Sequence, residues 1–144
     1  MSLPSPDCAD TKLRRMTRVV TQCYDAELGR VGLSTTRYWL LTEVLAHGPL
    51  RPCDLAKAMS LSPSTLTRNL KPLVSTGWLN LGAGIDGRTR SVCITTAGRA
   101  KCAEGLPHWN GAQARVHRLI GSQNVHSMQV LVEDCLTRMS AADG

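Results

Sequence analysis

Residues 55–79, LAKAMSLSPSTLTRNLKPLVSTGWL, contain the pattern from which the rest of the chain can be read. Pro52 to Met59 reads as a short helix with proline in its first turn, and Ser60-Leu61-Ser62 as the turn that follows. Ser62 ahead of Pro63 is a helix-start signal: a short hydroxyl side chain accepts from the first free N–H groups, and proline takes the position that needs no donor. From Pro63 to Ser75, Leu66, Leu70, Leu73 and Val74 recur on one side, and Gly77 lies past the end. Two helices joined by about three residues make a helix-turn-helix. At about 100° per residue, Leu70 and Leu73 fall within about 40° of Leu66, whereas Ser64, Arg68 and Lys71 fall on the far face. That face is small, polar and basic. Short residues allow close approach to a major groove, and a guanidinium can meet guanine O6 and N7 with two hydrogen bonds. Ser62, Thr65 and Thr67 add hydroxyls suited to bases or phosphates. Pro72 removes the helical donor for the Arg68 carbonyl, which predicts a bend in the second half of the helix.

Working outward, residues 78–82 and 90–95 read as short strands, carried by Leu79 and Leu81 and by Val92 and Ile94. The loop between them holds Gly82, Gly84 and Gly87 and presents Arg88 and Arg90, a hairpin wing whose arginines suit a narrow minor groove. Asp86 either pairs with one of these arginines and fixes its aim, or serves with Gly87 as a turn former.

Upstream, residues 10–30 carry Leu13, Met16, Val19, Val20, Cys23 and Ala26 at helical spacing, and a second helix is expected over Thr36–Ala46, capped from Ser34-Thr35-Thr36. Downstream, Thr95 or Thr96 can cap a long helix over 97–120, with a kink or break expected at Gly105 and Pro107. A last helix over 123–139 carries Val125, Met128, Leu131, Val132, Leu136 and Met139 along one side. That stripe is too long for a small helix-turn-helix core to cover, so a shared helical core in a homodimer is expected. The fold class expected is mainly α with a small β-hairpin wing. We expect one domain over 1–144, with 10–31 and 97–139 as dimerisation helices and 34–96 as a winged helix-turn-helix lobe.

Composition supports this architecture. The 144 residues include no Phe, so a core must come from Leu, Val, Ile, Ala and Met, which favours helices over a sandwich. The formal charge is +6, and +4 of it lies between residues 51 and 95, which suits a polyanionic partner. No apolar h-region opens the chain and no apolar run nears membrane-spanning length, so a cytoplasmic protein without a membrane partner is expected, its six cysteines free thiols. The cysteines show no C-x-x-C or other zinc spacing, so neither metal nor cofactor is expected. His47, His108, His117 and His126 make no i, i+4 pair, and no G-x-S-x-G or P-loop occurs, so no catalytic residues are assigned and the chain reads as a non-enzyme.

The helix pair followed by "DGRTRSVCITTAG" resembles the MarR family of winged-helix transcription regulators across essentially the whole chain. The family's D-x-R, five residues on to L-T, and x-x-G falls on Asp86, Arg88, Ile94, Thr95 and Gly98, with Ile94 in place of the usual leucine. The resemblance implies a two-fold dimer with interlocked first and last helices, its recognition helices on successive major grooves of a pseudo-palindromic operator on double-stranded DNA. It also implies response to a small aromatic or phenolic effector, or to thiol oxidation. The expectation is a repressor released by a ligand bound between the DNA-binding lobe and the dimer helices, with Tyr24, Tyr38, Trp39, His108 and Trp109 as lining candidates, unless these are packing residues. The alternative is a cysteine-based redox or metal/metalloid sensor. In the organic-hydroperoxide subgroup the sensing cysteine falls here on Asp10, while Tyr24 matches a subgroup tyrosine. Cys8, two residues away, is the redox candidate: the helix dipole and Lys12 favour its thiolate and Asp10 opposes it, or it is an ordinary terminal thiol. Cys23, Cys102 and Cys135 are expected to be inert small residues on or near apolar faces.

Overall fold

The computed structural model describes residues 1–3, 5, 7–83 and 90–144. Among these, helices α1 (Ala9–Leu28), α2 (Thr35–His47), α3 (Pro52–Ala58) and α4 (Pro63–Ser75) precede an antiparallel hairpin, β1 (Leu79–Ala83) and β2 (Arg90–Ile94). Helices α5 (Thr96–Ile120) and α6 (Ser122–Ala142) complete a winged helix-turn-helix order. The chain divides into two compact units, one formed by 24–109 and the other by 1–23 with 110–144.

In the 24–109 unit, local chemistry sets the helix ends. Ser62 caps α4, with its Oγ accepting from Thr65 N at 3.3 Å and Pro63 next in line. Gly77, at φ +80°, closes α4 by a left-handed turn in which Trp78 N reaches Leu73 O at 3.0 Å. Helix α2 has two caps: Ser34 Oγ accepts from Arg37 N at 3.3 Å, and Asp25, one helix away, accepts from Thr35 N at 2.7 Å and from Thr35 Oγ1 at 2.6 Å. Leu28, Leu40, Leu41, Val44, Leu55, Leu66, Leu73, Leu79 and Val92 are essentially fully buried in a continuous core. Each such side chain contributes about 1.5–3 kcal/mol of burial free energy.

The hairpin pairs Leu79 with Ile94 through to Ala83 with Arg90. Leu50, in the connection after α2, adds a third backbone partner: its N–H reaches Val92 O at 3.1 Å and Val92 N reaches back at 2.7 Å. Thr95 locks the hairpin to α5, its Oγ1 donating to Gly77 O at 2.6 Å and accepting from Gly98 N at 3.0 Å as the helix cap. Gly98 has no room for a side chain, because a Cβ there would run into the Trp78 carbonyl oxygen.

A kink or a break is expected at Gly105 and Pro107; there is no break, and α5 runs through both residues. Gly105 is buried, and a Cβ would lie 2.6 Å from Tyr38 Cε2 and 2.9 Å from Leu33 Cδ1, so the glycine is a packing notch. Pro107 and Ala103, whose carbonyl loses its helical donor, are both exposed, so water can satisfy that carbonyl. Pro72 likewise sits inside α4 without ending it.

In the second unit, Ala112, Val116 and Val125 are buried, whereas Leu13, Val19, Leu131, Val132, Leu136 and Met139 are 40–69% exposed. No helix among the described residues is long and apolar enough to cross a membrane.

Candidate nucleic-acid interface

Helix α4 turns Leu66, Leu70 and Leu73 inward, at 2%, 4% and 0% exposure, and so points Ser64, Thr67, Arg68 and Lys71 into solvent. The N-terminal end of this face is a hydroxyl network. Ser62 Oγ lies 2.9 Å from Thr65 Oγ1 and 3.3 Å from Ser64 Oγ, and Arg68 Nη2 lies 3.5 Å from Thr65 Oγ1. Thr67 is used differently, donating to the Pro63 carbonyl at 2.9 Å. Among the described residues, neither Arg68 nor Lys71 has a carboxylate partner, so both charges stay available to an external anion.

Arg90 opens β2 and is exposed. It shares with Thr67, Lys71, Leu70, Val74 and Leu81 a groove of about 470 Å³ between α4 and the hairpin. Folding thus brings together cations that lie nineteen positions apart in sequence, Lys71 and Arg90, on one rim. Asp86 and Arg88 lie outside the described residues, as does the rest of 84–89.

The aromatic candidates gather elsewhere in the same unit. The Trp109 ring lies 4.4 Å from that of Tyr24 and 5.3 Å from that of Tyr38, centroid to centroid. Tyr38 is buried, and its hydroxyl donates to the Cys102 carbonyl at 3.5 Å. Burial, with a smaller contribution from Cys102, pushes the Tyr38 phenol up. Burial also pushes the Cys102 thiol up, against the opposing charge of Arg99. His108 stands at the edge of the cluster, Nδ1 3.7 Å from Glu27 Oε2, an ion pair when the ring is protonated. Trp39 takes no part in this ring stack and is 45% exposed. Sequence reasoning missed Glu27, although its spacing of three from Tyr24 puts both on one face of α1.

Cys8 is exposed just ahead of α1, its carbonyl accepting from Lys12 N at 3.1 Å, while the Lys12 ammonium pairs with Asp7 at 3.0 Å. Cys102 is buried as expected and Cys23 is half-buried, but Cys135 is exposed, because it lies on a part of α6 that no other described residue covers. Among the described residues no group of His, Cys, Asp or Glu is arranged to hold a metal ion.

Residues 33–80 match the model of the MarR family, a span that takes in α2, the whole helix-turn-helix and the start of the hairpin. The chain also superposes on the transcriptional regulator MosR of M. tuberculosis in complex with DNA, at 29% identity, with a TM-score of 0.73 and 90% of this chain and 98% of that one covered. Its similarity to the MarR family thus spans the helix-turn-helix by sequence and most of the chain by structure. Two further structures share its fold. One is a MarR-family transcriptional regulator from Rhodococcus sp. RHA1, 19% identical with a TM-score of 0.79 over 93% of this chain and 96% of that one. The other is a mutant of MarR from E. coli complexed with operator DNA, 21% identical with a TM-score of 0.79 over 87% and 91%. No curated protein matches the sequence. Beyond the matched span, Gly98 packs directly on the backbone of Trp78.

Proposed function

We propose that this chain is a MarR-family, sequence-specific DNA-binding transcription regulator, with α4 entering the major groove and the hairpin flanking it. The observation that carries the reading is the exposed face of α4, where among the described residues Arg68 and Lys71 have no carboxylate partner and Arg90 lines the same groove as Lys71. In this reading Arg68 contacts a base, Lys71 holds phosphate, and Ser62, Ser64, Thr65 and Thr67 supply hydroxyls at the groove. Arg88 and Arg90 would serve the minor groove beside each half-site, with Asp86 either pairing with one of them or forming the turn. The DNA-bound state of MosR supports the assignment.

The functional form in this proposal is a homodimer on a pseudo-palindromic site, supported by the apolar residues of α1 and α6 that stay exposed among the described residues. The regulator acts as a repressor, released by a small, partly apolar ligand at the Tyr24–Tyr38–Trp109 cluster, with His108 and Glu27 as its polar edge. The reading assigns the chain no reaction.

Selecting bound duplexes from a random pool tests the whole reading, with a two-fold symmetric site as the expected result. On that site Arg68→Ala should cost about 1–3 kcal/mol and relax one position per half-site. Lys71→Ala should weaken all sequences alike and lower the salt slope by about one. Equal, sequence-independent losses in both would refute these roles. Release by aromatic acids or phenols that persists in Cys8→Ser supports the ligand, whereas hydroperoxide release lost in Cys8→Ser would make the protein a thiol switch.

A further inference from the structure

We propose that Thr65 is a positioning residue that aims the Arg68 guanidinium, acting as the middle member of a hydroxyl chain that starts at the helix cap. The inference rests on the reading of α4 as the base-contacting helix and adds what orients its arginine.

A hydroxyl has one hydrogen to give and two lone pairs to receive. Ser62 Oγ receives Thr65 N at 3.3 Å and gives its hydrogen to Thr65 Oγ1 at 2.9 Å. With that hydrogen spent, the 3.3 Å contact with Ser64 makes Ser64 the donor. Thr65 Oγ1 in turn takes Ser62 on one lone pair and Arg68 Nη2, at 3.5 Å, on the other. Its acceptor capacity is then used up and its own hydrogen is left over.

Two consequences follow for recognition. Arg68 stands on an exposed stem with no carboxylate to hold it among the described residues, so the Thr65 oxygen, itself half-buried and anchored through the cap of α4, restrains one edge of the guanidinium and leaves its remaining N–H groups for recognition. Thr67, adjacent to Arg68 in sequence, does not substitute: residues one apart do not face each other on a helix, and its hydroxyl turns back to the Pro63 carbonyl. The second consequence is polarity. The free guanidinium N–H groups and the Thr65 O–H are all donors. They match guanine O6 and N7, adenine N7 or thymine O4, and they oppose the amino groups of cytosine and adenine. The specificity of the arginine thus depends on a neighbour that holds it as well as on its own charge.

The test uses the full-length chain, a duplex selected from a random pool, and the set of its single-base-pair variants across one half-site. Arg68→Ala should flatten the preference at one position. Thr65→Val, which keeps the shape and removes the hydroxyl, should reduce the preference at that same position by about three- to tenfold. Thr65→Ser, which keeps the hydroxyl and loses the methyl, should restore it. A preference unchanged in Thr65→Val, or lost equally in Thr65→Ser, overturns the positioning role while leaving the arginine's own role intact. Preferences unchanged in Arg68→Ala overturn the base-reading assignment and the present inference with it.

Discussion

The two units of this chain solve the problem of apolar burial differently. The unit formed by 24–109 closes its core within itself: leucines and valines from α1, α2, α3, α4 and both strands reach essentially zero exposure. The unit formed by 1–23 and 110–144 leaves Leu13, Val19, Leu131, Leu136 and Met139 more than half exposed. Burial at about 25 cal/mol per Å² is forfeited wherever such surface stays wet. The first unit should therefore be stable at any chain concentration, and the second should draw its stability from association.

The largest expected effect breaks that contrast at the helices. Leu131→Asp combined with Leu136→Asp should abolish dimers in sedimentation experiments and remove operator affinity by orders of magnitude, because two linked half-sites become one. The tryptophan fluorescence of the 24–109 unit should persist. A dimeric, DNA-competent double variant would remove the reason for calling α6 an association surface.

Next in size, Gly98→Ala strikes the closed core. Its new methyl meets the Trp78 carbonyl, so the unit should lose about 1–3 kcal/mol, read as a lower midpoint in urea at every protein concentration. A midpoint that recovers at high concentration would instead tie this unit to association as well.

Ser62→Ala removes the cap of α4 and should cost about 1 kcal/mol, again independent of concentration. If stability is unchanged, Ser62 matters only for recognition.

The smallest effect is on pH. Tyr38 and Cys102 have raised values through burial, so both are neutral in the fold and release protons more readily when unfolded. Their contribution is fully present below the ordinary thiol and phenol ranges and is lost as pH climbs through the raised values. Alkaline unfolding of the 24–109 unit should therefore be delayed by Cys102→Ala if the site repacks, and Cys102 should resist alkylation at neutral pH while Cys8 and Cys53 react. Rapid labelling of Cys102 in the native protein would contradict its burial.

Much of this was legible in sequence because it is local. Ser62-Pro63 and Gly77 mark the ends of α4 through capping and backbone conformation, which involve only neighbouring residues, and the spacing of Leu66, Leu70 and Leu73 fixes which face carries Arg68 and Lys71. The aromatic candidates were named individually, but nothing in their spacing placed Tyr24, Tyr38 and Trp109 in one stack or left Trp39 outside it. Glycine and proline in α5 suggested a break by their intrinsic propensities, and packing decided otherwise, with Gly105 fitting against Tyr38 and Pro107 facing water.

The sequence by itself determined the order of the elements, the polarity of each helix face and the basic character of the exposed face of α4. All three depend on residues within a turn or two of one another, where steric and hydrogen-bonding preferences act directly. Only the tertiary structure decided that Asp25 caps α2, that Leu50 pairs with Val92, that Lys71 and Arg90 share a rim and that Thr65 holds Arg68. The first three join residues far apart in the chain, whose meeting depends on how the core closes. The last joins residues three apart, but depends on side-chain rotamers that no residue pattern specifies.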